Sequence, residues 1–410
     1  MNKFLTIIIA LSFINGISAQ VKPGIEVLLE ENFKCLEGKR VGLITNPTGV
    51  DSHLKSTIDI LFEAPKVNLV ALYCPEHGIR GDVTAGGRVD DAIEPITGLP
   101  VFSLYGSNKK PSPEILKGID VLVYDIQDIG SRSYTYISTM GLAIEAAAEN
   151  GIEFVVLDRP NPLGGNRFEG QPNVAPNLVS LVSQFPITYV HGFTVGELAT
   201  FLNEEGLLKD GIRCKLTVIK MKGWKRKMNF RATGLPWVIS SPHIPHSETA
   251  YFYAASGILG ELYTFNIGVG YTLPFELFAT EWIDAEKLAT NLNDLKLVGV
   301  RFRPIHYKPY YGSQKDVFLH GVQAYITDFE KVSLTLIQFY VMQECYKLYP
   351  DKNVFELCEP SRLNMFDKVC GTKDIRETFT KNFTVKSIQE IWNKDVDNFK
   401  KKAKQYFLYK

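Results

Sequence analysis

Four short apolar runs, each followed at once by polar residues with glycine or proline, constrain the fold of this chain more than any other feature. Together with the polar residues that follow them, the runs span Leu43–Gly49, Leu69–Gly78, Val123–Asp128 and Val156–Asn161. Apolar runs of this length are typical of strands buried on both faces of a sheet. In a parallel sheet their carboxyl ends meet at one edge, where open α/β folds bind ligands.

Helical patterns between the strands predict an α/β fold with a doubly wound, mostly parallel sheet and right-handed crossovers. The predicted strands are Arg40–Thr45, Leu69–Tyr73, Leu99–Leu104, Asp120–Tyr124, Glu153–Leu157 and Lys215–Lys220. The predicted helices between and around them are Gly24–Leu36, Ser56–Phe62, Ser138–Asn150 and Thr194–Glu205.

The pattern changes near Trp282, where helical stretches begin to alternate with short extended pieces. The predicted helices are Ala285–Asn291, Leu334–Leu348 and Ser387–Phe407, and the extended pieces include Val298–Arg303 and Val322–Ile326. We therefore predict an α/β domain over residues 20–285 and a smaller α+β domain over residues 286–410.

The first 19 residues read as a secretory signal peptide. Lys3 supplies the positive start, Phe4 to Ile14 the apolar segment, and Ser18-Ala19 the small residues before a cut ahead of Gln20. The apolar segment is too short to span a bilayer. We therefore expect an exported protein, periplasmic or secreted, without a stable membrane anchor. The sequence does not indicate an oligomeric state.

The charge balance argues against a nucleic-acid partner. Forty-five basic side chains face 45 acidic ones, and no basic cluster suggests a polyanion surface. The six cysteines are too sparse for a disulfide scaffold and lack zinc-site spacing. Export would allow a bridge, most plausibly among Cys345, Cys358 and Cys370.

Glu76 is the strongest catalytic candidate. A carboxyl group between Pro75 and His77 in a tight turn has little structural reason to be there, whereas a general acid needs this kind of partly buried position. Polar residues at the other strand ends can converge on the same site. The candidate catalytic residues are Glu76, His77, Asp125, Asp128, Asp158 and Glu169.

Each of these residues also has a structural alternative. Asp125 and Asp158 can cap loops, and Arg132 and Arg159 can pair with them in a buried network without chemistry. Tyr134 and Tyr136 can be core residues, and His77 can bind a backbone carbonyl. The alternatives stay open at this point.

Other chemistries lack their signatures. His77 with Asp82, Asp90 and Asp91, or His243 with His246, has no recognised ligand spacing, so we expect no metal. A GxSxG elbow, a GxGxxG turn and a P-loop are all missing from the sequence, so we expect no cofactor.

Long motifs at the strand ends resemble the exo-β-N-acetylmuramidase family of peptidoglycan-degrading glycoside hydrolases. The motifs are Gly42–Gly49, Pro75–Asp82, Asp125–Tyr136, Leu157–Gly165, Glu169-Gly170, His191–Ala199, Trp237–Ala250 and Trp392–Tyr409. The resemblance covers essentially the whole mature chain. It implies a Rossmann-like N-terminal catalytic domain and a smaller C-terminal domain that completes a cleft between them. It also implies release of single N-acetylmuramic acid residues from the non-reducing end of peptidoglycan fragments.

The resemblance places Glu76 at the family's proposed catalytic glutamate. One segment departs from the family: Gly268–Phe275 reads GVGYTLPF, without the arginine that many members carry before Pro-Phe. The second catalytic group stays open between Asp125, Asp128, Asp158, Glu169 and the substrate's own acetamido group.

We expect a muropeptide or disaccharide substrate, whose lactyl carboxylate Arg132, Arg159 or Arg80 would bind. Tyr134 and Tyr136 would form an apolar wall. We also assign Asn46, Asn161, His191 and Glu261 to substrate binding. The rival functions are a non-catalytic cell-wall-binding protein and a metal-dependent hydrolase.

Overall fold

A computed structural model of the chain describes residues 20–81, 87, 91–106, 108–312 and 314–410, so the predicted signal peptide lies outside it. Within these ranges, the first part of the chain forms a seven-stranded sheet. Its strands are β1 (Arg40–Thr45), β2 (Asn68–Cys74), β3 (Ala92–Ile93), β4 (Pro100–Ser103), β5 (Val121–Asp125), β6 (Glu153–Leu157) and β7 (Leu216–Ile219).

The strand order is β3-β4-β2-β1-β5-β6-β7, and every neighbouring pair except β3 and β4 is parallel. Counted in chain order, the six parallel strands therefore run 3-2-1-4-5-6, the order of a doubly wound sheet. The predicted fold is confirmed.

Helices cover both faces of this sheet because its strands are apolar on both sides. The helices are α1 (Gly24–Glu30), α2 (Thr57–Glu63), α3 (Tyr136–Glu149) and α4 (Val195–Glu204). The next helix, α5 (Thr249–Gly260), packs against helices of the second part of the chain. Val121 and Val123 of β5 belong to the core cluster shared with α1 and α2. The alternate residues Leu122 and Tyr124 belong to the cluster shared with α3 and α4.

Two predicted helices are wrong in extent, in both cases because residues other than glycine adopt left-handed backbone. The first helix ends at Glu30 rather than Leu36, since Asn32 and Phe33 have φ angles of 55° and 56°. The last predicted helix, Ser387–Phe407, is interrupted at Asp395, whose φ is 61°. A left-handed residue breaks the helical hydrogen-bond ladder, and sequence periodicity does not reveal it.

The second part of the chain is a smaller α+β unit, as predicted. An antiparallel sheet with the order β8-β10-β9 contains β8 (Leu277–Thr280), β9 (Val300–Tyr307) and β10 (Leu319–Ile326). Its helices are α6 (Ala285–Asp294), α7 (Ile337–Leu348), α8 (Val354–Leu357), α9 (Pro360–Cys370), α10 (Asp374–Asn382), α11 (Val385–Asn393) and α12 (Val396–Ala403). Because β8 precedes residue 285, this sheet begins before the predicted domain boundary.

The two parts share one hydrophobic core. A single cluster of buried side chains includes Tyr124 of the large sheet, Ile258 of α5, Phe278 of β8, and Phe366 and Trp392 of the C-terminal helices. The walls of a site at their junction are therefore packed against one another. In the described part of the chain, no helix combines the length and apolarity needed to cross a bilayer.

The cysteines form no bridge. All six lie in described parts of the chain, and each is a free thiol. The disulfide considered among Cys345, Cys358 and Cys370 is therefore not formed. Burial raises the pKa of the Cys74 thiol beside Pro75 to about 12, which makes that thiol inert near neutral pH.

Candidate active site

A cleft of about 510 Å³ opens beyond the carboxyl ends of β2, β4 and β5. Its near wall is the turn after β2, the residue Tyr105 beyond β4, and the segment Ser133–Tyr136 before and within α3. The C-terminal end of α5 and the segment 263–275 line the far wall, and residues 311, 312 and 314 lie at the cleft as well. The volume falls in the range of small-molecule sites.

Glu76 sits in this cleft, half-buried, on the turn that Pro75 starts at the end of β2. Each of its carboxylate oxygens accepts a hydroxyl hydrogen bond. Tyr105 Oη donates to Oε1 at 2.9 Å, and Thr135 Oγ1 donates to Oε2 at 2.8 Å. Residues beyond β4 and before α3 therefore fix the orientation of a carboxyl group that follows β2.

A second carboxyl group, Glu261, lines the same cleft at the end of α5. Arg362 of α9 pairs with it: Nη2 lies 2.6 Å from Glu261 Oε2, and Nε donates to the Glu261 carbonyl at 2.6 Å. Burial raises the pKa of Glu261, Arg362 opposes that rise, and the charge of Glu76 adds to it. Glu76 and Glu261 therefore lie close enough to interact electrostatically.

Two imidazoles lie beside the carboxyl groups. His77 is buried and has a left-handed φ of 75°, which is uncommon for a residue other than glycine and is typical of functional sites. His243 contacts Tyr311, with 2.9 Å between Nε2 and Oη. Burial and the nearby His77 lower the pKa of His243, so His243 is mainly neutral at pH 7.

Tyr134 and Tyr136 line the cleft and form part of its apolar wall. Their rings meet edge to face at 4.8 Å. Both hydroxyls are used inside the protein, because Tyr134 donates to Ser240 Oγ at 2.9 Å and Tyr136 donates to the Ser240 carbonyl. They offer ring surface rather than polar contacts to a ligand.

The structure places Asp125 and Arg159 in a buried ion pair away from this cleft. Arg159 Nε lies 2.5 Å from Asp125 Oδ1, and Thr57 Oγ1 donates to Asp125 Oδ2 at 2.5 Å. Arg159 also donates to the Val50 carbonyl at 2.8 Å. The pair lies at the carboxyl ends of β1 and β5, where a doubly wound sheet usually binds its ligand. This arrangement is the structural alternative considered for Asp125 and Arg159, a buried network without chemistry.

Asp158 and Asp128 are also used inside the fold. Asp158 accepts hydrogen bonds from Thr194 Oγ1 and Gly196 N, both at 2.8 Å, at the start of α4, and one from Tyr409 Oη at 2.5 Å. Burial raises the pKa of Asp158 to about 7. Asp128 accepts from Gly130 N at 2.6 Å, with His191 Nε2 at 3.3 Å.

The predicted anion-binding arginines have other partners. Arg132 is 1% exposed and donates to four carbonyls, two of them Val369 and Cys370 at the end of α9. A cation is favoured at a helix C-terminus, so Arg132 joins the two parts of the chain. Arg80 pairs with Glu94. Neither Arg132, Arg80 nor Arg159 lines the cleft.

The remaining predicted residues support loops outside the cleft. Glu169 binds Arg167 at 2.5 Å and accepts from Thr335 N at 2.9 Å. Asn46 Oδ1 accepts from Thr48 N at 3.0 Å, and Asn161 donates to the Phe193 carbonyl at 2.9 Å. His191 Nδ1 accepts from Phe193 N at 3.3 Å. Of the predicted site residues, the cleft therefore collects Glu76, His77, Tyr134, Tyr136 and Glu261.

Sequence reasoning missed Tyr105, Thr135 and Arg362 as site residues. Tyr105 carries a usable signal, because it directly follows a predicted strand at the same sheet edge as Glu76. Arg362 carries none, since it reaches Glu261 from a helix 101 residues further along the chain. Val269, in the segment that departs from the family pattern, lines the cleft.

No three His, Cys, Asp or Glu side chains cluster as metal ligands among the residues that the structure describes. The considered ligands Asp82 and Asp90 lie outside those residues. His243 and Tyr311 stack on each other, with ring centroids 5.9 Å apart.

Family models match both parts of the chain. The model of the NamZ N-terminal domain, described as exo-β-N-acetylmuramidase NamZ, matches residues 41–248, and that of the C-terminal domain matches residues 251–409. The models meet at the start of α5, earlier than the predicted boundary at 285.

Relatives cover nearly the whole chain. The peptidoglycan β-N-acetylmuramidase NamZ of Bacillus subtilis (strain 168) is 45% identical over 95% of this chain and 92% of its own length. Two DUF1343 family crystal structures from Bacteroides fragilis NCTC 9343 also match. One has a TM-score of 0.92 at 61% identity, over 95% of this chain and 99% of its own. The other has a TM-score of 0.74 at 29% identity, over 96% and 99%. With both domain models matched in order, the chain belongs to the exo-β-N-acetylmuramidase (NamZ) family.

Proposed function

We propose that the protein is an exo-acting glycoside hydrolase that releases N-acetylmuramic acid from the non-reducing end of peptidoglycan fragments. Family membership and the activity named for the Bacillus subtilis relative support this reaction. The observation that carries it is the presence of Glu76 and Glu261 in one cleft. Glycoside hydrolysis commonly uses a carboxyl pair, one to protonate the leaving oxygen and one to stabilise the positive anomeric centre.

We assign the general acid role to Glu76. The orientation of both Glu76 oxygens is fixed by hydroxyl donors, from Tyr105 and Thr135. Arg362 stabilises the charged form of Glu261, which suits Glu261 for an anionic role and leaves the role of proton donor to Glu76. Glu261 is then the anionic partner at the anomeric centre.

We further propose that His77 and His243 bind the lactyl carboxylate of the substrate. Among the described residues that line the cleft, these imidazoles are the basic side chains. An imidazole ring can donate a ring N–H to a carboxylate oxygen. Tyr134 and Tyr136 provide ring surface for the sugar on the same side.

Hydrolysis of a chromogenic β-N-acetylmuraminide separates an enzyme from a cell-wall-binding protein with the same cleft. We expect steady release of the chromophore by the wild-type protein and a large loss in Glu261→Gln. Binding of muropeptides without product would instead support the binding protein. Restoration of chelator-treated protein by zinc would support the metal-dependent hydrolase.

We also propose that the protein is exported and cleaved before Gln20. The proposal rests on the pattern of residues 1–19, a positive start, an apolar segment and a small-residue cut site. N-terminal sequencing of the protein from the extracytoplasmic fraction is expected to begin at Gln20. A retained Met1 in that fraction would contradict cleavage.

A further inference from the structure

The rim of the cleft carries an aromatic ring in an unusual setting. Tyr263 lines the cleft and is 66% exposed, although large aromatic side chains usually bury most of their surface. Its φ is 57°, so it takes the left-handed position just after α5 ends at Gly260. Glycine is strongly preferred at such a helix end. The backbone conformation at this position does not favour a tyrosine, which indicates that the side chain has a role.

One face of this ring is held by a guanidinium group. Arg362 Cζ lies 3.8 Å from the centre of the Tyr263 ring, within the range of a cation–π contact. The same guanidinium group donates to the Glu261 carbonyl and pairs with its carboxylate. Arg362 thus ties an exposed ring at the rim to a carboxyl group inside the cleft.

We propose that Tyr263 is the stacking platform for the sugar ring on the leaving-group side of the scissile bond, and that Arg362 positions this platform relative to Glu261. The inference rests on the proposed exo action. A terminal sugar held in the interior leaves the rest of the fragment pointing to solvent, so the next ring passes the rim. A flat aromatic face held in place binds a sugar ring with little loss of side-chain entropy.

The chain offers a matched control away from the cleft. Tyr325 on β10 is 44% exposed and lies under a guanidinium group as well, with Arg303 Cζ 5.9 Å from its ring centre. Tyr325 does not line the cleft. Tyr325→Ala therefore removes an exposed, arginine-paired tyrosine without touching the proposed subsite.

The platform is tested with two substrates that differ only in their leaving group. One is the disaccharide N-acetylmuramyl-β-1,4-N-acetylglucosamine, and the other is N-acetylmuraminyl fluoride, whose leaving group has no ring. We expect Tyr263→Ala to lower the ratio of kcat/KM for the disaccharide to that for the fluoride by about tenfold, mainly through KM. Tyr263→Phe keeps the ring and should keep the ratio.

The outcomes separate the platform from the proposed function. A Tyr263→Ala ratio equal to that of Tyr325→Ala, or an equal loss on both substrates, would overturn the platform. Wild-type protein that cleaves neither substrate would refute the proposed function instead. Melting temperatures of the variants identify any loss that comes from unfolding.

The pH dependence of kcat/KM tests the positioning role of Arg362. Arg362 of α9 and Glu76 beyond β2 act electrostatically on Glu261, and the charge of Glu261 in turn raises the pKa of the buried phenols of Tyr189 and Tyr253. Arg362 is the group among them that lowers the pKa of Glu261, so Arg362→Met should move the acid limb of kcat/KM to higher pH and lower the substrate ratio. Lower activity with an unchanged profile would mean that Arg362 only supports the fold. Arg303→Met is the matched control and should leave the profile in place.

Discussion

Replacing Glu76 by glutamine removes the proposed proton donor with almost no change in shape. Both carboxylate oxygens accept hydroxyl hydrogen bonds, from Tyr105 Oη and Thr135 Oγ1. A hydroxyl group can also accept, so the new amide can donate to one of the two and accept from the other. The substitution should then lower the free energy of unfolding by about 1 kcal/mol, the usual contribution of one hydrogen bond. Folding and substrate binding should survive.

The effect on turnover should be much larger than the effect on stability. General acid catalysis contributes roughly 10²–10⁴-fold, or about 2.7–5.5 kcal/mol of barrier. The full loss applies to a sugar leaving group, whose alkoxide is a poor leaving group without a proton. An aryl leaving group needs little protonation, so Glu76→Gln should lose far less on a nitrophenyl muraminide.

The assay compares kcat for both substrates in Glu76→Gln and Glu261→Gln. We expect a selective loss on the disaccharide for Glu76→Gln and a loss on both substrates for Glu261→Gln, because Glu261 stabilises the anomeric centre whatever the leaving group. A selective loss on the disaccharide for Glu261→Gln and a loss on both substrates for Glu76→Gln would instead make Glu261 the general acid and Glu76 the anionic partner. Near-normal turnover of the disaccharide by Glu76→Gln would refute the assignment.

Three further predictions concern the fold around the cleft. Arg159→Met should lower the free energy of unfolding, measured in urea, by about 3–5 kcal/mol, because it leaves Asp125 charged and buried. The exposed Arg40–Asp120 pair is the control, and Arg40→Met should cost less than about 1 kcal/mol. Equal losses in the two variants would contradict the burial argument. Burial raises the pKa of Asp158 to about 7, so the folded state binds an extra proton between about pH 4 and pH 7. The stability contribution of this group therefore falls as pH rises through that window, and Asp158→Asn should flatten the dependence; an unchanged slope would contradict it. Alkylation of the unfolded, unreduced protein should label all six cysteines, and four or fewer labels would reveal a disulfide.

The sheet was predictable because its information is local. Each strand is an apolar run closed by glycine or proline, and β1 and β6 match their predicted bounds at both ends. The second unit was predicted less sharply. Its first strand, β8, is four residues long and carries no alternation of burial, so nothing in that stretch marks the start of a new sheet.

The site was only partly predictable because strand-end position does not decide which way a polar side chain faces. Asp125 and Glu76 both follow buried strands, yet Asp125 points into a pair with Arg159 and Glu76 lines the cleft. Arg132 shows the same limit, since its four carbonyl partners come from segments up to 238 residues away. A pattern of neighbouring residues contains no information about hydrogen-bond partners at such sequence separations.

The central claim is exo cleavage at the cleft of Glu76 and Glu261, and a time course on one defined glycan tests it most directly. The substrate is the tetrasaccharide that alternates N-acetylmuramic acid and N-acetylglucosamine, with N-acetylmuramic acid at the non-reducing end, and mass spectrometry follows the products. We predict a single released N-acetylmuramic acid and a trisaccharide capped by N-acetylglucosamine that resists further cleavage, with both products formed at least about a hundredfold more slowly by Glu76→Gln. Disaccharide products, or the same products formed by Glu76→Gln at a near-wild-type rate, would contradict the account.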